Sequence, residues 1–422
     1  MGAFPDSHVF FMMLFRCRFL YAVLMVSFSG AVSAHPPLQL YIQLTPPGGV
    51  LKLKPGTYSG PAVIKKKITI EGNGEATIDG GGEGSVIHIK ADGSVIRGLH
   101  ITHSGRAFDD LDAALVVEAD GTLIEDNIID DCLFGITLRN AAENTIRNNR
   151  ISSVDEEVGL RGEGIRLWYS ADNLIVGNEL SRVRDMLIIN SPDNHIRNNR
   201  VRNSRVGMEF VFSPGNIVEE NVIEYDKSGF VGLYSEGLLF RGNHIAHLRD
   251  TPGTAFSIKE SAQVRLQRNR ILHCAVGLIA NAPANPANIL YLDGNQFAYN
   301  DVAIYFYGDR GGHVITGNRF EGNITTIAVS AANSAIDNDW RGNYWDDYKG
   351  FDLDDDGIGD MPHTLYLYAD RLWMDRPMTR FFRASPVLET IDFMERLAPF
   401  SKPKKILQDP APLTSMENKK EE

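Results

Sequence analysis

Residues 194–201 read Asn194-His195-Ile196-Arg197-Asn198-Asn199-Arg200-Val201, and one unit of this stretch recurs along most of the chain: an asparagine followed two residues later by an apolar residue. It stands at Asn127/Ile129, Asn149/Ile151, Asn178/Leu180, Asn199/Val201, Asn221/Ile223, Asn243/Ile245, Asn269/Ile271, Asn295/Phe297, Asn318/Phe320 and, altered, Asn343/Trp345. The nine intervals run from 21 to 29 residues and average 24. A fixed period of this size marks a stack of repeats. Each unit is too short for two helices, and its apolar residues alternate at period two, which reads as strand.

A second column fixes the register. After most asparagine units comes a small residue and then an apolar one, as in Gly135-Ile136, Gly164-Ile165, Gly207-Met208 and Gly277-Leu278. Strand side chains alternate between faces, so Ile136, Ile165, Met186, Met208, Phe230, Phe256, Leu278, Ile304 and Ile327 are predicted to form one inward ladder. Asparagine suits the corner because it tolerates a left-handed backbone. Its stacked amides can also bond from coil to coil. The fold class is therefore all-β: a single-stranded, right-handed parallel β-helix, a pectin-lyase-like solenoid. A leucine-rich horseshoe has a comparable period but needs a leucine spacing and helical segments that are absent here.

Composition limits the function classes. The 422 residues carry a net charge of −12, which argues against nucleic acid or anionic lipid as a partner. Residues 1–34 read as a secretory signal: Arg16 and Arg18 precede an apolar run from Phe19 to Phe28, and Ala31-Val32-Ser33-Ala34 offers a small-residue cleavage site. The alternative is a membrane anchor, for which the run is short. The apolar stretch Phe10 to Met13 also allows a start at Met12 or Met13. A secreted chain points to the periplasm. Cys132 and Cys274 share a phase in the repeat but sit six coils apart, too far for a disulfide, so both are expected as free core thiols.

The solenoid is expected over 35–345, with loop insertions at 103–114 and 152–163. An Asp-rich loop and aromatic segment follow over 346–384. In that loop Asp352, Asp354, Asp356, Gly357 and Asp360 have the spacing of a calcium loop, without the usual glutamate at its twelfth position, where His363 stands. A solvated acidic turn is the plain alternative. Residues 385–400 read as a short amphipathic helix, capped by Ser385-Pro386, with Val387, Leu388, Ile391, Met394 and Leu397 on one face. The polar tail 401–422 reads as disordered.

The outward positions beside the inward ladder are Arg166 and Trp168, Leu187 and Ile189, Glu209 and Val211, Val231 and Leu233, with Tyr169, Phe212 and Tyr234 at the strand ends. This face is apolar rather than basic. Trp168, Leu187, Ile189, Val211, Val231 and Leu233 therefore make a candidate protein-docking stripe, unless the long loops cover it. A β-helix enzyme acting on an acidic polysaccharide, a lyase or an epimerase, would need basic groups in a groove. Soft-metal ligands are sparse: His247 and His273 fall on successive coils beside Cys274 and are a candidate site for copper or zinc, with turn residues as the alternative. Met186 and Met208 belong to the inward ladder and read as packing.

Several blocks together resemble a known family. They are Lys54-Pro55-Gly56-Thr57-Tyr58-Ser59-Gly60, Arg161-Gly162-Glu163-Gly164-Ile165-Arg166-Leu167-Trp168, Gly342-Asn343-Tyr344-Trp345-Asp346-Asp347-Tyr348 with the Asp-rich loop, and Ser385-Pro386-Val387-Leu388-Glu389 through Arg396-Leu397-Ala398-Pro399-Phe400. In this order they resemble the NosD family of nitrous oxide reductase maturation. The resemblance implies a non-enzymatic periplasmic accessory protein. It would work with the permease and ATPase of an ABC transporter, a copper-chaperone lipoprotein and nitrous oxide reductase, with copper or sulfur as cargo. Contact with the membrane would come only through those partners. One coil departs from the family pattern: Glu209 and Val211 stand where relatives carry a histidine and a second methionine, which speaks against copper ligation there. The other readings are the carbohydrate-active enzyme and a purely structural solenoid.

Overall fold

The computed structural model describes residues 35–281, 287–330, 335–367 and 404–415, with Pro386, Thr390, Phe393 and Met394. The secretory-signal reading of residues 1–34 falls outside these. From Pro37 onward the chain winds as a parallel β-helix with three strand columns. One coil shows the plan: Leu174–Val176, Glu179–Ser181 and Met186–Ile189 lie on the first, second and third faces. The third face is a 12-stranded sheet, and the first two fuse into a 24-stranded one through the long strands Thr69–Asp79 and Val95–Thr102.

The inward ladder lies where the alternation predicts. Ile136, Ile165, Met186, Met208, Phe230, Phe256, Leu278, Ile304 and Ile327 pair in unbroken register and are all buried. Towards the C-terminal end the core becomes aromatic. Phe230 stacks on Phe256 at 5.1 Å, and Phe297, Phe320 and Trp345 follow at 5.4 and 4.6 Å. Cys132 and Cys274 are free and buried, and burial pushes both thiols up to about 12.

The asparagine column forms, for a different reason than tolerance of a left-handed backbone. The left-handed residue is the one before it: Asn148, Asn198, Glu220 and Arg268 take φ of 55°, 55°, 53° and 53°. Gly177, Gly242, Gly294, Gly317 and Gly342 hold the same place. The ladder asparagine supplies its amide instead. Asn199 donates its backbone N–H and its side-chain N–H to Asn221 Oδ1, at 2.9 and 3.0 Å, and also reaches the Ile175 carbonyl at 2.9 Å. Buried backbone groups at the corner would otherwise lack partners. A second column, Asn144, Asn173, Asn194 and Asn216, runs five residues ahead of the first with the same backbone N–H to Oδ1 bonds. A serine column, Ser170, Ser191, Ser213, Ser235 and Ser261, lies beside it. The quoted stretch holds one member of each asparagine column, Asn194 and Asn199.

Two ends differ from expectation. A helix, Leu38–Leu44, closes the N-terminal end by burying Leu38 and Ile42. The tail is not disordered at 404–415. Lys404–Asp409 pairs antiparallel with His363–Leu367, and Ile406 and Leu407 enter the core. These two apolar residues, flanked by lysines, carry too little composition signal to reveal a strand 60 residues from the repeats. Of the helix expected over 385–400, only Pro386, Thr390, Phe393 and Met394 are described, all helical and exposed. The remainder lies outside the described residues.

Candidate functional site

The outward stripe is built by register. Trp168, Ile189, Val211 and Leu233 pair directly across four coils of the third face. Trp168 is 39% exposed, and Ile189, Val211, Val231 and Leu233 are partly so. Leu187 is the correction: it is only 6% exposed and offers little surface. Its ladder neighbours are Arg166 and Glu209. At the corner after the strands, Tyr169, Phe212 and Tyr234 are half exposed, and Phe212 stacks on Tyr234 at 5.1 Å. Tyr169 stacks on Trp168, and Arg166 lies 5.1 Å over the Trp168 ring. Among the described residues, the long loops pack on earlier coils. There Phe108 packs on Phe134, and Ala113, Val116, Leu133 and Val154 join a separate buried cluster.

Beside the stripe lies an ionic network that residue-by-residue reading missed. Glu163 and Asp185 are buried, and Glu163 faces Arg184 at 3.2 Å and Arg166 at 3.6 Å. Arg205 bridges Asp185 and Glu209. Burial raises the Glu209 pKa, the Asp185 charge adds to that, and Arg205 opposes it. Its members are scattered over residues 163–209, so only the coil period could have gathered them. The arginines are consumed in pairs with acids, so this cluster does not supply the free basic groove a uronate enzyme needs. Glu209 itself is committed to Arg205 at 3.1 Å.

His247 and His273 do stack, with centroids 5.3 Å apart and planes within 2°. Tyr225 and Tyr299 continue the column at 5.1 and 5.3 Å. Parallel rings direct their nitrogen lone pairs side by side rather than towards one point. Cys274 cannot complete the set, because its thiol is buried and donates to the Leu272 carbonyl at 3.4 Å. Met186 and Met208 face the core.

In the Asp-rich loop, Asp352, Asp354 and Asp356 bring carboxylate oxygens within 4.8 Å of one another, the one such three-ligand group of His, Cys, Asp and Glu among the described residues. Gly357, at φ 85°, makes the turn and donates to Asp352 at 2.9 Å. Asp356 raises the Asp354 pKa by charge repulsion, with burial, Asp360 and Asp352 adding to it. Asp352 is lowered: burial works against ionisation, but N–H groups of Gly357 and Asp356 and the Thr414 hydroxyl outweigh it. Asp360 turns to the Leu353 N–H at 2.7 Å, away from that group. His363, at the twelfth position, lies in the closing strand and stacks on Trp345 at 4.7 Å.

Relatives agree with the fold and narrow the family. Two solved structures share the architecture at low identity. A family 28 exopolygalacturonase of Yersinia enterocolitica matches at TM-score 0.54 and 11% identity, over 69% of this chain and 74% of that one. A mannuronic-acid-specific family 6 lyase from human gut microbiota matches at TM-score 0.52 and 16% identity, over 71% of this chain and 81% of that one. The family described as "Periplasmic copper-binding protein (NosD)" matches residues 151–350, and a family of unknown function matches 39–243. A protein of Pseudomonas aeruginosa called "Probable ABC transporter binding protein NosD" is 30% identical over 83% of this chain and 85% of its own. One of the same name in Stutzerimonas stutzeri is 25% identical over 94% of each. The Pseudomonas relative, 30% identical over most of both chains, shows that the chain belongs to the NosD family.

Proposed function

We propose that this protein is a non-catalytic periplasmic accessory factor that docks on an ABC transporter and a copper chaperone through the stripe of Trp168, Ile189, Val211, Val231 and Leu233, in the maturation of the copper-sulfide centre of nitrous oxide reductase. The observation that carries it is the unbroken outward register of Trp168, Ile189, Val211 and Leu233 beside exposed Tyr169, Phe212 and Tyr234. Family membership supplies the context, since the relatives are named as binding an ABC transporter. Copper is cargo in this reading. Direct ligation is not favoured by the described residues, whose cysteines and ladder methionines are buried and whose stacked histidines diverge from a common point. Buried aromatic anchors dominate interfaces of this kind, and truncating one costs about 2 kcal/mol or more of binding. Trp168→Ala with Leu233→Asp should leave the melting temperature within a few degrees and weaken capture of the transporter or chaperone. Unchanged capture would move the interface elsewhere. Turnover of pectate or alginate at enzymatic rates would favour the lyase or epimerase reading instead.

The loop of Asp352, Asp354 and Asp356 is proposed as a calcium site that holds the end of the solenoid, because Thr414 of the returning tail bonds Asp352 at 3.2 Å. Calcium at a hundredfold excess over Kd would add about 2.7 kcal/mol to stability. The melting temperature should rise with calcium, and Asp354→Ala with Asp356→Ala should abolish the rise.

A further inference from the structure

The chain is acidic overall, yet its first coil is not. Residues 35–70 hold five lysines and no acid, and take five of the chain's fourteen lysines and none of its 28 arginines. The structure gathers Lys52, Lys54, Lys65, Lys66 and Lys67 at the N-terminal end, exposed or partly so, and none makes an ion pair with a described residue. The end they surround is apolar. The helix Leu38–Leu44 turns Leu38 and Ile42 to the core, but its other face carries Leu40, Tyr41 and Leu44, and Leu44 is 83% exposed. Val50, on the edge strand Val50–Lys52, is 52% exposed beside it.

A terminal cap of a repeat protein ordinarily needs a polar outer face. The outer face of a surface helix is ordinarily polar as well. Here Gln39 and Gln43 supply polarity on one side only, while Leu40 and Leu44 stand exposed. Lysines at sheet ends also block edge pairing, which accounts for Lys52 and Lys54. That role leaves Leu40 and Leu44 unexplained, although Tyr41 also packs edge-on against Tyr58 at 5.4 Å. Nor does it explain Lys65 and Lys66, which line a groove of about 470 Å³ with Gln39, Ile42, Gln43 and Val63. Lys66 reaches the Gln43 carbonyl across it at 2.9 Å.

We propose that this N-terminal end docks on an anionic phospholipid surface. Leucines and a tyrosine would enter the headgroup boundary while the lysine ring contacts phosphates, as interfacial helices do. The composition favours lipid over an acidic protein. Protein interfaces enrich arginine and deplete lysine, whereas this end uses lysine alone, a compact charge suited to diffuse headgroup contact. The inference does not rest on the transporter reading; a failed transporter capture leaves it standing.

The test is flotation of the full chain, purified from the periplasm with its N-terminus identified by mass. The vesicles are phosphatidylcholine alone, or phosphatidylcholine with phosphatidylglycerol. Binding is expected only to the anionic vesicles and should be lost in high salt. Each lysine contributes roughly fivefold in partitioning, so losing three charges should weaken binding on the order of a hundredfold, and the reversal Lys65→Glu with Lys66→Glu and Lys67→Glu should weaken it by more than that. Leu44→Ser should weaken it severalfold, and neither variant should shift the melting temperature. Equal, salt-insensitive flotation on both vesicles would overturn the proposal in favour of a retained apolar leader. Absence of binding to anionic vesicles, or binding untouched by the triple reversal, would overturn it outright. So would a triple reversal that impairs only transporter capture, which would assign the end to an acidic protein.

Discussion

The two ends of the solenoid close by different physics. At the C-terminal end, Asp409 takes the place that the next ladder asparagine would hold. It accepts the Asn343 backbone N–H at 3.1 Å, the Asn343 side chain at 3.0 Å and the Trp345 indole N–H at 3.1 Å. Trp345, His363, Ile406 and Leu407 seal the core beneath it. At the N-terminal end the seal is apolar contact from Leu38 and Ile42, and a further strand is mimicked only by a bridge of Pro37 to Ser59 and by two bonds of Gln39 to Val63, at 3.3 and 2.7 Å. The charges separate in the same way: five lysines without an acid over 35–70, against eight acids and two cations over 339–363. An end closed by directional bonds is costly to breach, and an end closed by an apolar helix leaves surface to spare.

The comparison breaks most sharply at Asp409. Asp409→Ala orphans three buried donors and should cost about 5 kcal/mol by denaturant unfolding, with Asp409→Asn milder because it keeps an acceptor. A loss below about 1 kcal/mol would mean that the C-terminal seal is not made of these bonds.

A mid-solenoid reference is Asp226, buried and bonded to the Ser204 N–H at 2.6 Å. Burial raises its pKa from 3.8 to about 7. The unfolded chain loses this proton near pH 4 while the folded one keeps it to about 7, so stability falls with rising pH across that window and is level above it. Linkage makes the loss about 4 kcal/mol. Asp226→Asn should recover about that much at pH 8, and the gain should vanish towards pH 4.

Leu407→Ala should cost about 3 kcal/mol, as a core truncation does. A neutral result would restore the disordered tail that composition suggests. The smallest effect belongs to the other end: Leu44→Ser should change stability by less than about 0.5 kcal/mol, since its side chain is already in water. A larger loss would show that the N-terminal helix seals through its outer face as well.

The residues that repeat were legible without coordinates. The period and its alternation set the solenoid, the inward ladder from Ile136 to Ile327, the free cysteines and the outward positions of Trp168, Ile189, Val211 and Leu233, because a strand's two faces follow from position alone. The asparagine column was legible in place but not in cause, since the backbone angle that strains the corner belongs to the preceding residue. What stands outside the repeat was decided by the tertiary structure. Leu187 is covered although its phase is outward, the arginine-acid network gathers residues from three coils, and the strand Lys404–Asp409 returns to a core that its own composition does not announce. The physical reason is the same in each case. Periodicity encodes which way a side chain points, whereas cover, charge pairing and closure depend on which distant segment arrives above it.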